Sequence, residues 1–333
     1  MANVSMGNIY ILLLVCLNAI ALIIVFRQAC LLSKPNSINL HSSTPPSGLL
    51  SKPHNISPRL TTPAVPVTRF WSRSLLRTTE ESLYVMYGDR ELADDEHLSN
   101  YIRSMTSRQA PGGRHLSQPS RVHFSQHGGS EFLDNLLKQR RNGFFVESGA
   151  FGGEDLSDTL FFEMQRNWTG ILIEPHPEYY RSILQKNRNA LVLRACLSHT
   201  TRPVLAKFRL HGWGSGVSEL NRNVRLGDKN IPETDVQCFS LNSIMTALGV
   251  RHIDLMVLDV EGSELPVLKT IDWTKLSVDV FSIEYASDSR LDKLEKISSF
   301  LKETGIRYDE VGRLPMTSSR STAQDVIFMR AKP

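Results

Sequence analysis

Gly143–Pro175 reads GFFVESGAFGGEDLSDTLFFEMQRNWTGILIEP, and this stretch decides the fold. Phe144, Phe145 and Val146 form a short unbroken apolar run, the pattern of a strand buried on both faces. A glycine-rich turn, Glu147–Gly153, follows it. Glu154–Arg166 then sets Leu156, Leu160, Phe161 and Met164 on one helical face. Gly170–Ile173 is a second apolar run that stops at Glu174-Pro175. Strand, tight turn, helix and strand make a βαβ unit, whose two strands lie parallel in one sheet.

The alternation continues downstream. Pro177–Asn189 reads as a helix with proline in its first turn, and Ala190–Leu193 as a third strand. Asp254–Leu258 is a fourth, ending in Asp259-Val260-Glu261-Gly262, and Ser263–Lys269 begins another helix. Val278–Ile283 is a fifth strand, ending at Glu284. Leu291–Leu301 is amphipathic, and Ile306–Val311 with Asp325–Met329 reads as a closing strand pair. Upstream, Gly129–Arg140 reads as a docked helix, and a helix is expected near Glu91–Met105. The prediction is an α/β domain over 125–333, a mostly parallel sheet with helices on both faces, preceded by a linker with local helices over 69–124.

In doubly wound sheets ligands sit beyond the carboxyl ends of the strands. The turn with Gly149, Ala150, Gly152 and Gly153 lets backbone approach a ligand closely. Glu174 stands where an acid can accept hydrogen bonds from ribose hydroxyls. Ser198 follows the third strand, and Asp259 and Glu261 follow the fourth. Each signal has a plain alternative: a tight turn, a solvated acid, a helix start at Ser263. Their combination in one chain order favours a nucleotide-type cofactor site. G-A-F-G-G does not fit the dinucleotide fingerprint G-x-G-x-x-G, and no Gly-Lys-Ser/Thr follows as in a P-loop.

Charge is uneven along the 333 residues. The formal net charge is +4. Arg27, Lys34, Lys52 and Arg59 account for it within an acid-free stretch, 27–68, so that residues 69–333 balance at 34 basic and 34 acidic side chains. No concentrated basic face is expected there, and a nucleic-acid-binding function is disfavoured. Behind a tail of residues 1–8, residues 9–26 (IYILLLVCLNAIALIIVF) carry no charge. As a helix they would span about 27 Å, close to a hydrocarbon core. A cleaved signal peptide is the rival reading, but the run is long and no basic residue precedes it. Residues 27–68 hold seven of the 16 prolines and read as a disordered stem. Arg27 and Lys34 would place that stem in the cytosol by the positive-inside rule. The tripeptides Asn55-Ile56-Ser57 and Asn167-Trp168-Thr169 are glycosylation sequons, which matter only in a lumen.

The stretch FFVESGAFGGEDLSDTLFFEMQRNWTGILIEPHPEYY, followed by RACLS, LNSIMTALGVRHIDLMVLDVEGSELPVLKTIDW and QDVIFMR, resembles FkbM-type S-adenosylmethionine-dependent methyltransferases. With its anchor and stem, the chain is most similar to the arthropod Star-like single-pass membrane proteins. The resemblance implies a Rossmann-like seven-stranded methyltransferase fold behind an N-terminal transmembrane helix and stem. It also implies S-adenosylmethionine as cofactor. Glu147, Gly149, Ala150 and Gly152 would then line the donor's amino acid end and Glu174 its ribose. Ser198 would flank the adenine, and Asp259 and Glu261 would face the methyl group and acceptor as catalytic groups. The partners implied are the lipid bilayer, through residues 9–26, and membrane-protein cargo; none is nucleic acid. The domain would be lumenal, in endoplasmic reticulum, Golgi or endosomes, acting in the trafficking of growth factor receptor ligands. Active O-methylation of a lumenal glycan, lipid or protein is the alternative. Glu147 and Phe151 stand where the family usually has Asp and Asn, which leaves catalysis open.

His211-Gly212-Trp213-Gly214-Ser215-Gly216 reads either as a glycine-hinged lid or as a surface loop. Cys196 and Cys238 would pair in an oxidising lumen and stay thiols in a cytosol. No Cys/His cluster has metal spacing, and no metal is expected.

Overall fold

The computed structural model describes residues 95–212, 215–217, 231–286, 291–314 and 323–331. The expected anchor and stem, the sequon at Asn55 and the centre of the expected lid, Trp213-Gly214, lie outside these. Among the described residues no helix is long and apolar enough to cross a membrane.

Among the described residues, twelve strands form two sheets. The main sheet holds β1 (Thr106–Ser107), β2 (Phe144–Ser148), β3 (Thr169–Ile173), β4 (Leu191–Leu193), β9 (His252–Leu258), β10 (Ser277–Ala286), β11 (Tyr308–Leu314) and β12 (Ala323–Arg330). Their spatial order is β1-β4-β3-β2-β9-β10-β12-β11. The five central strands, β4-β3-β2-β9-β10, are parallel. β12 inserts antiparallel between β10 and β11, and the two-residue β1 adds an antiparallel edge beside β4. This is the expected Rossmann-like sheet of seven strands, with β1 as an extra edge. The chain runs outward from β2 to β4 and returns to β9 on the other side of β2, so β2/β9 is the switch point.

Helices cover both faces, as the apolar runs require. On one side α1 (Glu96–Met105), α5 (Leu241–Leu248), α6 (Glu264–Leu268) and α7 (Leu291–Glu303) enclose a core including Ile102, Val146, Ile244, Met256 and Phe281. On the other, α2 (Gly129–Leu136), α3 (Leu160–Gln165) and α4 (Pro177–Lys186) cover Leu133, Phe145, Phe162, Leu172 and Leu255. Gly170 sits in mid-strand because a Cβ there would lie 2.3 Å from the Phe145 ring.

The helix expected over 154–166 is shorter than its apolar spacing suggested. Residues 154–159 are held as a loop by tertiary bonds. The Glu154 carboxylate accepts the Ser117 and Gln118 N–H groups (2.8 and 2.7 Å). Leu156 takes φ +69 and donates its N–H to the Phe124 carbonyl (2.9 Å). The helix expected to run to Arg140 likewise ends at Leu136, and Lys138 and Gln139 have positive φ. The stretch before residue 125 is packed rather than loose. Arg103 Nη1 donates to the Ala247 carbonyl (2.8 Å), and Asn187 ties Ala110 and Gly113 to the end of α4.

A second sheet lies in the insert after β4. β5 (Cys196–Leu197), β6 (Val204–Arg209), β7 (Gly216–Val217) and β8 (Glu233–Phe239) pair in the order β5-β8-β6-β7. Cys196 and Cys238 face each other in register and form a disulfide.

Candidate functional site

The register of the main sheet sets one row of residues across its carboxyl-terminal edge. Ser148 pairs with Ile173 and with Leu258, and Ile283 pairs with Leu258. The next residue on each strand is therefore Glu174, Gly149, Asp259 and Glu284, and Glu284 pairs directly with Asp325. Side chains alternate along a strand, so these residues share one face. Gly149 lies at the switch point, between Glu174 and Asp259. At φ +84, a Cβ there would meet the Asp259 carbonyl oxygen at 1.8 Å.

Glu174 is buried. Its carboxylate accepts the Phe151 N–H (2.9 Å) and the His176 N–H (2.7 Å), fixing the glycine turn to the start of α4. Burial pushes Glu174 up to about 8, against the lowering pull of those two N–H groups. Phe151 has φ +47, a left-handed conformation in which asparagine is the better tolerated side chain. Its ring packs on Tyr179 (centroids 4.2 Å apart), which in turn stacks on His176 (4.1 Å).

Glu147 lies one row below Gly149 and is buried. Its oxygens accept the Ser157 hydroxyl (2.9 Å), the Asp158 N–H (3.0 Å) and the Thr159 hydroxyl (2.5 Å). Those bonds pin the loop before α3 onto β2, so Glu147 holds its own chain where a donor contact was expected. Arg188, fully buried, completes the network. It donates to Glu163 (3.1 Å), the Gly153 carbonyl (3.0 Å), Ser157 (2.9 Å) and Thr159 (3.0 Å), and lies 3.6 Å from Glu147. Glu163 is desolvated, which raises it, yet the Arg188 charge and bonds from Arg114 and Asn189 hold it below the usual range.

The fourth-strand acids stand in an acidic neighbourhood. Burial is the main cause that pushes Asp259 well up. Glu284, Glu261 and Asp325 add to it, and Glu284 hydrogen-bonds to Asp259. Asp325 is pushed up to about 7 by burial and by Glu284. Asp158 is also driven well up, by burial, Asp325 and Glu147. Glu261 has φ +54, in a turn whose Val260 and Gly262 N–H groups donate to Glu264 (3.4 and 3.1 Å), itself paired with Lys293 (2.8 Å).

Seven of the eight expected residues thus meet at the ends of β2, β3 and β9: Glu147, Gly149, Ala150, Gly152, Glu174, Asp259 and Glu261. Ser198 follows β5 in the second sheet. Its hydroxyl donates to the Arg202 carbonyl (2.9 Å) and accepts the Thr200 N–H (3.1 Å), closing its own turn. Glu284, Asp325, Asp158 and Arg188 were not anticipated. Glu284 carried a readable signal, an acid after the fifth strand just as Asp259 follows the fourth. A cleft of about 450 Å³ between Met245, Arg251 and Lys275 lies at the opposite ends of the strands.

These shifts predict an unusual pH dependence. Folded Glu174 keeps its proton up to about 8 and Asp325 up to about 7, whereas unfolded acids release theirs near 4. Between those limits the native state binds more protons, so stability falls as pH rises. Urea midpoints should drop from pH 5 to pH 8 by on the order of a few kcal/mol of stability, and Glu174→Gln should flatten the slope. A flat or rising profile would contradict the raised Glu174 and Asp325 carboxyls.

Residues 147–308 match the family model described as the methyltransferase FkbM domain. None of the curated proteins matches the chain. Similar solved structures include precorrin-6y C5,15-methyltransferase from Geobacter metallireducens, at 14% identity over 61% of this chain and 87% of that one, with TM-score 0.36. Human methyltransferase 10 domain containing protein shows 11% identity over 73% and 98%, with TM-score 0.35. TYW2 from M. jannaschii, in complex with AdoMet, shows 14% identity over 64% and 80%, with TM-score 0.33.

Proposed function

We propose that the domain binds S-adenosylmethionine at the β2/β9 switch point and transfers its methyl group to an oxygen acceptor. The observation that supports this most is the in-register row Glu174–Gly149–Asp259–Glu284. It offers a hydroxyl acceptor at one end, a close-approach glycine in the middle and carboxylates at the other end. The residues fit the group: among the described residues Glu174 accepts two hydrogen bonds, leaving lone pairs for two ribose hydroxyls. Asp259, Glu261 and Glu284 suit a sulfonium's positive charge. Bound there, the cofactor would supply an activated methyl group. The chain's own work is to hold the acceptor in line and to take its proton, for which the Asp259–Glu284 pair is placed.

Titration calorimetry of the full-length chain with S-adenosylmethionine tests this reading. A saturable isotherm below millimolar donor is expected. Glu174→Ala should weaken it at least about tenfold, the loss of about 1.4 kcal/mol of hydrogen bonding. No binding at millimolar donor would refute a retained donor site. It would favour the second reading, a non-catalytic escort of membrane cargo in receptor-ligand trafficking of the Star type. That reading is supported by Glu147, whose oxygens are engaged within the chain.

On either reading the domain is taken to lie in the lumen of the endoplasmic reticulum and Golgi, anchored by residues 9–26. The Cys196–Cys238 disulfide supports an oxidising compartment. Asn167, in the turn before β3, and Thr169, the first residue of β3, are both exposed; the Asn167 amide donates to Asn142 Oδ1 (2.6 Å), a bond that glycosylation would have to displace. In cells, glycosidase treatment should increase the mobility of the chain, and Asn167→Gln should remove one glycan's worth of that shift. An unshifted Asn167 site, with free thiols at 196 and 238, would place the domain on the cytosolic side.

A further inference from the structure

We propose that the cleft at the amino-terminal ends of β9 and β10 binds a phosphate monoester, at a site separate from the switch point. The cleft has a volume of about 450 Å³, within the range of small-ligand sites. One helix and two loops build it. The turn after α5 carries Gly249, Val250 and Arg251 into β9, and Thr274, Lys275 and Leu276 lead into β10. Ser277 pairs with His252, and its N–H donates to the Arg251 carbonyl (3.1 Å). That register sets the two lead-in segments side by side, so Arg251 and Lys275 reach one cleft from separate parts of the chain.

Residues 69–333 carry equal numbers of basic and acidic side chains, so a general basic surplus does not explain two cations in one cleft. Concave walls concentrate the field of like charges, and an anion relieves their repulsion. Among the described residues, the Arg251 guanidinium and the Thr246 hydroxyl of α5 have no hydrogen-bond partner, so both have donors open to a ligand. The Lys275 ammonium stands 3.8 Å from Asp272, whose carboxylate also accepts the Thr274 N–H and hydroxyl (3.0 and 2.6 Å). The carbonyl end of α5, which would repel an anion, is covered. Gly249 and Val250 N–H groups donate to the Met245 and Thr246 carbonyls, and Arg103 Nη1 donates to the Ala247 carbonyl (2.8 Å). A guanidinium, an ammonium and a hydroxyl supply donors for the three terminal oxygens of a phosphate ester, one more than a carboxylate offers. Buried Met245 and Leu276, with half-buried Val250, give the cleft an apolar side for the ester's organic body.

This site does not depend on methyl transfer, and its test is run without donor. Phenyl phosphate is titrated calorimetrically into the full-length chain, with inorganic phosphate and phenol as comparisons. One saturable site is expected. Phenyl phosphate should bind more tightly than inorganic phosphate, and phenol should not bind. Arg251→Gln should weaken the site at least about tenfold, the loss of a charge-assisted pair. Thr246→Val, which keeps the shape and removes the hydroxyl, should weaken it by a smaller factor. Arg307→Gln, at an exposed position where the guanidinium pairs with Asp309, should leave it unchanged. Vesicles of phosphatidic acid in phosphatidylcholine distinguish the source of the ester. Vesicle binding that needs Arg251 and is competed by phenyl phosphate would support the site and assign it to a lipid headgroup. Phenyl phosphate binding without vesicle binding would support it for a soluble ester. No saturable binding of phenyl phosphate, affinity unchanged in Arg251→Gln, or an equal loss in Arg307→Gln would overturn the proposal.

Discussion

Arg188→Ala is expected to destabilise the domain by about 3–5 kcal/mol, the cost of leaving buried carboxylates without their cation. Arg188 is the fully buried hub between Glu147 and Glu163, and its remaining donors hold Gly153, Ser157 and Thr159. The substitution also opens a cavity beside Phe145, whose ring the guanidinium lies over at 5.8 Å. Arg188→Lys should recover only part of the loss, because one ammonium cannot reproduce the planar fork that reaches four partners. Urea denaturation at pH 6 reads both variants. A loss under about 1 kcal/mol for Arg188→Ala would mean that water replaces the guanidinium, and that the network is not the clamp described.

Gly149→Ala should abolish the donor site while the rest of the fold persists. The positive φ alone costs about 1 kcal/mol for any other residue. The larger effect is contact: the new methyl would overlap the Asp259 carbonyl, so β2 and β9 must separate where the row of carboxylates forms. S-adenosylmethionine affinity should fall more than tenfold and the thermal midpoint should drop. Gly112→Ala, also at positive φ but with open space around it, should lower the thermal midpoint slightly and leave donor affinity unchanged. Unchanged donor affinity in Gly149→Ala would show that the ligand does not approach the switch point.

Most of the main sheet was legible because a parallel strand, buried on both faces, must be apolar throughout. Phe144–Val146, Gly170–Ile173 and Asp254–Leu258 could be read in that way. The second sheet was not, since its strands alternate in burial. Val204–Arg209 buries Ala206 and Phe208 between the exposed Leu205 and Lys207, and an exposed leucine breaks the apolar/polar alternation that would have marked the strand. The helix before β3 was overestimated for a related reason. Leu156 fits the helical spacing, but its N–H bonds Phe124 and its φ is positive, which no local pattern reveals.

The seven expected site residues that meet do so for one physical reason. Strand ends in a parallel sheet are brought side by side by register, so acids and glycines just after apolar runs converge. By itself the sequence determined that layered sheet, the edge on which a ligand would sit, and Glu174, Gly149 and Asp259 as its markers. Tertiary structure alone decided which acids face a ligand and which hold the chain. Glu147 turns inward because Ser157, Thr159 and Arg188 surround it. Glu284 joins Asp259 because β10 lies in parallel register beside β9, and Asp325 joins them because β12 runs back between β10 and β11. Such pairings depend on contacts between residues far apart in the chain, and local spacing carries no record of them.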